Sequence, residues 1–315
     1  MSFDLRVLSV GLGAFAVVGL GLALIVPSLA TRWRAATSAA RAQRLALLRL
    51  VPAGISLVVG LLVTASFLAF EPRKAENVGW MIPSFAIFGG ALLLGAAWRS
   101  IRIGLATRRL ARKWLADSEP IALDGVNVPA FAVTSTFPIV AIVGLRRPKL
   151  VIARSVLSSC TPEELRAVLA HEQGHLDRRD NLRRLLMSIA PDALAWLPIS
   201  ERLLSAWRAA TEEAADDAAA KEDPDGRVSL ASALVKVARL ARGQVVASPL
   251  PAATLYCGEN LDVRVRRLLD PAAAAVMSRA PWSRTMAAAG VLILVAAFAL
   301  QGLQAIVEVA IKRLP

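Results

Sequence analysis

Long apolar runs and dense basic segments alternate along this chain. Residues 7–30 carry no charge, and a bilayer needs only about 20 apolar residues to be crossed by a helix. Residues 50–70 form a second such run and residues 80–98 a third, the latter with Trp80 and Trp98 at its ends, where an aromatic belt would sit. A fourth run covers residues 286–307, introduced by Trp282. The pattern predicts four transmembrane helices. Ser28-Leu29-Ala30 resembles a signal-peptide cleavage site, but the apolar core before it is longer than such a peptide needs.

The segments between the runs fix an orientation. Residues 31–49 hold Arg32, Arg34, Arg41, Arg44 and Arg49 with no acid, and residues 99–116 hold Arg99, Arg102, Arg108, Arg109, Arg112 and Lys113, again with none. The link at 71–79 balances Arg73 and Lys74 against Glu71 and Glu76. The positive-inside rule puts the N-terminus outside and the region after Trp98 in the cytoplasm. Residues 99–116 read as a continuation of the third helix.

From Pro120 the grammar changes. Residues 121–123, 128–133, 139–143 and 149–153 are short, β-branched and broken by Gly, Asn and Pro, and read as a small sheet. Thr161-Pro162-Glu163-Glu164 then opens a helix, with Thr161 as cap, Pro162 in the first turn and Glu164 closing a capping box. That helix extends to about residue 179. Pro191 interrupts the next, amphipathic stretch, and further helices are expected over 201–221, 230–242 and 261–269. The fold class is therefore an α-helical membrane protein with an α+β domain between its third and fourth spans. Residues 1–98 carry three transmembrane helices, 99–280 the cytoplasmic domain, and 281–315 the fourth helix with a short tail.

Composition supports this division. The chain is 56% hydrophobic and carries 37 basic against 24 acidic side chains, a formal charge of +13. The arginine-rich flanks account for much of that excess. No basic nucleic-acid reading element is present, so no nucleic-acid partner is expected. Cys160 and Cys257 lie far apart without a C-x-x-C pattern and read as free thiols.

The candidate chemistry lies in His171-Glu172-Gln173-Gly174-His175. These are the chain's two histidines. At i and i+4 on a helix both imidazoles share a face and reach one metal ion, while Glu172 projects toward water beside it. The blander alternative is two surface histidines on a polar helix. A catalytic zinc site takes three protein ligands and keeps a position open. The later helix offers Thr211-Glu212-Glu213-Ala214-Ala215-Asp216-Asp217, where Glu212 with Asp216, or Glu213 with Asp217, repeats one offset. Spacing does not choose between the two pairs, and a solvated acidic face would look the same.

The run from His171 through Leu176-Asp177-Arg178-Arg179-Asp180-Asn181 resembles the BlaR/MecR-type antirepressor membrane metallopeptidases. So do Gly144-Leu145-Arg146-Arg147-Pro148-Lys149-Leu150-Val151-Ile152 and the helix opening at Thr161-Pro162-Glu163-Glu164-Leu165. The resemblance implies a gluzincin-type zinc peptidase domain in a bacterial cytoplasmic membrane. It favours Glu212 as third ligand to one Zn2+ with His171 and His175, and Asp216 as the residue that orients a ligand. It also implies Glu172 as catalytic base, a protein or peptide substrate, and a transcriptional repressor as partner. No counterpart of the penicillin-binding sensor of antibiotic-sensing relatives is expected, because the sequence ends soon after the fourth run with no Ser-x-x-Lys there. Candidates for a second oxyanion donor are Tyr256, Arg178 and Arg208. Extended substrate is expected to pair with an edge strand near residues 137–143. Two other readings are an HtpX/Ste-type quality-control protease, whose relatives carry a pair of spans before the zinc domain, and a non-catalytic zinc-binding signal transducer. The intact Glu172 speaks against the last.

Overall fold

The computed structural model describes residues 2–32, 37–70, 79–135, 137–196, 198–222, 225–241 and 261–270. All of them fall in one compact unit, Met1–Ser278. The expected fourth span, Tyr256 and Cys257 lie outside the described residues.

Three long helices come first: α1 (Phe3–Arg32), α2 (Ser38–Phe70) and α3 (Met81–Ala116). Each is long and apolar enough to cross a membrane. α1 packs against both others, and glycine lets the backbones approach. A Cβ on Gly89 would lie 2.4 Å from Leu12 O, and one on Gly60 would lie 3.1 Å from Gly11 O. Small residues at such crossings are the usual means of packing helices in lipid. α2 begins well before its apolar run. Thr37 Oγ1 accepts from Ala40 N at 3.2 Å, so the basic segment is capped and forms the helix's first turns.

A four-stranded sheet follows in the order β1-β2-β4-β3, with β1 (Ser118–Ile121), β2 (Ala130–Val133), β3 (Val140–Val143) and β4 (Lys149–Ala153). β2 and β4 run parallel and the other pairs antiparallel. The first strand lies earlier than the expected 121–123 because it takes in Pro120. At a sheet edge a proline's missing N–H costs no ladder bond. β3 and β4 are apolar almost throughout and buried, so alternation is lost where both faces are covered.

After a short helix α4 (Arg154–Ser159), which the sequence did not suggest, come α5 (Pro162–Asp177), α6 (Asp180–Ile189), a 3-10 turn (Ala193–Trp196), α7 (Pro198–Glu222), α8 (Gly226–Leu240) and α9 (Leu261–Leu269). The capping box at α5 is present in full: Thr161 Oγ1 accepts from Glu164 N, and Thr161 N donates to Glu164 Oε2 at 2.8 Å. Glu164 also accepts from Ser232 Oγ and Lys236 Nζ, tying α5 to α8. The core joins Val140, Leu150 and Ile152 of the sheet to Val168 and Leu169 of α5 and Leu230, Leu234 and Val237 of α8.

Two smaller clusters join this domain to the apolar helices. Ala23, Val26 and Leu48 meet Leu194 and Leu203, while Ala42 and Ala46 meet Met187 and Trp207. Beside them Arg49 of α2 pairs with Asp192, both almost wholly buried. Arg99 of α3 donates to Ser188 O and Ala190 O, closing the C-terminal end of α6.

Candidate metal centre

α5 and α7 cross closely because their contact faces are small. A Cβ on Gly174 would sit 3.2 Å from Ala218 Cβ and 3.5 Å from Ala215 Cα. Gly174, the fourth residue of the H-E-Q-G-H sequence, therefore sets how near the helices come. That approach carries Glu212 to the histidines. His171 Nε2 lies 3.6 Å from Glu212 Oε2, His175 Nε2 lies 3.6 Å from Glu212 Oε1, and the two Nε2 atoms are 3.2 Å apart. One ligand atom from each of the three residues falls within 4.8 Å of the others.

Carboxylates stand behind both rings. His175 Nδ1 is 2.8 Å from Asp180 Oδ2, and His171 Nδ1 is 3.0 Å from Asp216 Oδ1, the latter an ion-pair contact without hydrogen-bond alignment. A proton held at each Nδ1 leaves each Nε2 lone pair facing inward, which is how carboxylates prepare imidazoles for metal. Asp180 reaches His175 because the chain turns sharply between α5 and α6. Arg179 adopts the left-handed region there, at φ 52° and ψ 43°.

Arg264 of α9 completes the support. Its Nε and Nη2 hold Asp216 in a bidentate pair at 2.9 and 2.7 Å, and its Nη1 lies 3.0 Å from Glu212 Oε2. Burial works against charge on both carboxylates. The Arg264 guanidinium and the imidazoles outweigh it and hold Glu212 and Asp216 below the usual carboxylate range. Burial likewise works to lower His171, but the facing carboxylates of Asp216 and Glu212 prevail and raise it to about 9. Glu172 differs: burial pushes its pKa up, with the histidines pulling the other way. A buried carboxyl that holds its proton more readily suits proton transfer.

The residues fit a metal. Two imidazole nitrogens and a carboxylate oxygen converge, and the buried Glu212 Oε2 makes no hydrogen bond of its own. An N2O donor set with room for a further ligand suits zinc. A cleft opens beside it, lined by Ile142, Glu172, His175, Asn181, Arg184 and Glu212.

The two acidic pairs on α7 separate by face. Glu212 and Asp216 point to the histidines, whereas Glu213 and Asp217 meet Arg41, Ser38 and Arg267 on the side facing α2. Arg178 is turned into α7, donating to Ala214 O and Thr211 O, and Arg208 is exposed. Asp180 and Arg264 were not singled out as site residues from sequence. Asp180 could have been found from its place just after the helix end, but nothing around Arg264 marks it.

Residues 127–266 match the family described as BlaR1 peptidase, M56. The match spans the site from His171 to Arg264 and bears out the resemblance to the BlaR/MecR type. No curated protein matches the chain.

Proposed function

On the premise that residues 127–266 form a domain of the BlaR1 peptidase M56 family, we propose that this protein is a membrane-embedded zinc endopeptidase. His171, His175 and Glu212 hold the metal and Glu172 is the catalytic base. The observation that carries the reading is the inward convergence of both Nε2 atoms on Glu212 while carboxylates hold both Nδ1 atoms. A zinc ion held by His171, His175 and Glu212 would supply Lewis acidity for activating water and polarising the scissile carbonyl. Glu172 takes the proton of the attacking water and delivers it to the leaving amine. Asp216 and Asp180 keep the imidazoles oriented, and Arg264 keeps Asp216 and Glu212 charged.

An extended peptide has a place beside this chemistry. β3 is an edge strand. Ala153 N donates to Ile139 O, so in this register the backbone groups of Val140 and Ile142 turn away from β4, although both residues are buried. Ile142 O there accepts from Asn181 Nδ2 at 2.9 Å. A substrate strand that pairs along this edge takes the place of Asn181 at Ile142 O, in the cleft that Glu172 also lines.

Three apolar helices precede the domain, which favours the antirepressor type over quality-control proteases with a pair of spans. The substrate is then a cytoplasmic or membrane-proximal protein, such as a transcriptional repressor. The arginine distribution supports an N-terminus outside and a cytoplasmic peptidase domain over residues 99–280, and the apolar sequence within 281–315 supports a further span.

Glu172→Gln tests the reading. The variant is expected to keep its zinc and to lose cleavage by about 10²–10⁴-fold, read as fragments on incubation with candidate repressors. Identical fragment patterns from wild type and variant refute it. His171→Ala is expected to lose zinc, measured as stoichiometry on purified protein.

A further inference from the structure

α7 is gripped on two sides. Its inner face carries Glu212 and Asp216, held by the histidines and Arg264. Its outer face carries the neighbouring residues Glu213 and Asp217, and the groups that hold these come largely from α2. Arg41 Nη2 donates to Glu213 Oε1 at 2.6 Å. Ser38, the first residue of α2, donates its hydroxyl to Asp217 Oδ2 at 2.6 Å. The same hydroxyl accepts from Arg267 Nη2 at 2.9 Å, and that nitrogen also donates to Asp217 Oδ1 at 2.6 Å. Arg267 Nη1 reaches Glu213 O at 3.1 Å.

Arg264 and Arg267 lie one turn apart on α9 and straddle α7, one arginine to each acidic face. The outer contacts are partly shielded: Ser38 is 8% exposed and the Glu213 and Arg267 side chains 19%, against 31% for Arg41 and 36% for Asp217. They link three elements distant in sequence, unlike an incidental surface pair, whose effect would be small.

Resting on the zinc reading above, we propose that Ser38, Arg41, Asp217 and Arg267 are positioning residues. Through them the N-terminal end of α2 sets the rotation of α7 and so the placement of Glu212 against the histidines. The geometry gives the effect its size. A helix with its side chains has a radius of about 5–6 Å, so a rotation of about 10° moves the Glu212 carboxylate by about 1 Å. Misplacement on that scale costs a reactive site on the order of 10²-fold. Movement of α2, which is long and apolar enough to cross a membrane, is thereby felt at the metal.

The experiment uses the full-length protein in detergent or nanodiscs, with zinc affinity measured by competition against a chelating dye. The variants are Asp217→Asn, Arg267→Gln, Arg41→Glu, Glu213→Arg and the Arg41→Glu/Glu213→Arg pair. Asp217→Asn and Arg267→Gln are expected to weaken zinc binding by about 10-fold, the lower end of what supporting residues contribute. The charge-swapped pair is expected to recover affinity that either single reversal loses. Thermal unfolding of the zinc-free protein is followed alongside, since a purely structural contact would lower that temperature and leave affinity unchanged. Wild-type affinity in all variants, or a fall in apo stability without a fall in affinity, overturns the proposal. A wild-type protein that binds no zinc overturns the metallopeptidase reading instead, so the two failures are distinct.

Discussion

Asp216 and Arg264 show at the scale of single residues what the site costs and what sequence can reveal of it. Both are almost wholly buried, and their bidentate pair balances charge that water cannot reach. Replacing one partner strands the other, a change worth about 3–5 kcal/mol. Arg264→Met should lower unfolding stability by about that much, and the Arg264→Met/Asp216→Leu double should recover part of the loss, as read from denaturant or thermal unfolding. A single variant as stable as wild type would contradict the buried pair. His171, Glu172 and His175 were legible in the sequence because one helical turn brings them together without tertiary help. Glu212 was legible only as one of two pairs, since residues 100° apart on a helix can face two different neighbours. Arg264 was not legible at all, because its partner Asp216 stands 48 positions away and only the packing of α9 joins them.

At the scale of elements, α5 shows how local rules locate a site. Its start, fixed by Thr161, Pro162 and Glu164, determines the rotational phase in which both histidines face α7. Glu164 serves twice, closing the cap and anchoring α8 through Ser232 and Lys236. Burial disfavours its charge, yet the bonds from Lys236, Ser232 and Thr161 hold its pKa below the usual carboxylate range. Because the folded-state pKa is depressed, its stabilising effect is present above the unfolded pKa, about 4.3, and fades as pH falls through the folded one. Glu164→Gln should therefore lower the unfolding temperature at pH 7 and narrow its gap from wild type below about pH 4. A gap that does not depend on pH would show that the carboxylate charge is not what joins the helices. The sheet was legible in the apolar strands β2, β3 and β4, less so in β1 (Ser118–Ile121), and not in its order. Which strand forms an edge depends on pairings between segments, and the exposed position that admits Pro120 into β1 is visible only once those pairings exist.

The whole molecule joins three apolar helices to an α/β domain, and Arg49 with Asp192 lies at that junction. The pair should behave as buried ion pairs do elsewhere: Arg49→Met or Asp192→Leu alone should reduce the yield of folded protein sharply, and the two together much less. Fluorescence-detected size exclusion in detergent would measure this, and an additive loss in the double variant would argue against the pairing. The sequence showed the apolar helices and the basic segments between them, but not that α2 starts at Ser38 and lies along α7. That contact joins chain regions 179 positions apart in Ser38 and Asp217. The spacing of Arg49 and Asp192 also sets an order of assembly during synthesis. The ribosome adds 143 residues after Arg49 before its partner emerges, about 7–30 s at ordinary elongation rates. During that interval the arginine is charged and partnerless beside an inserting apolar helix, where lipid phosphate or water must hold it. Docking of the late-made domain therefore ends a waiting state. Cells in which translation is slowed after α2 should accumulate a form whose first half is inserted but open to protease.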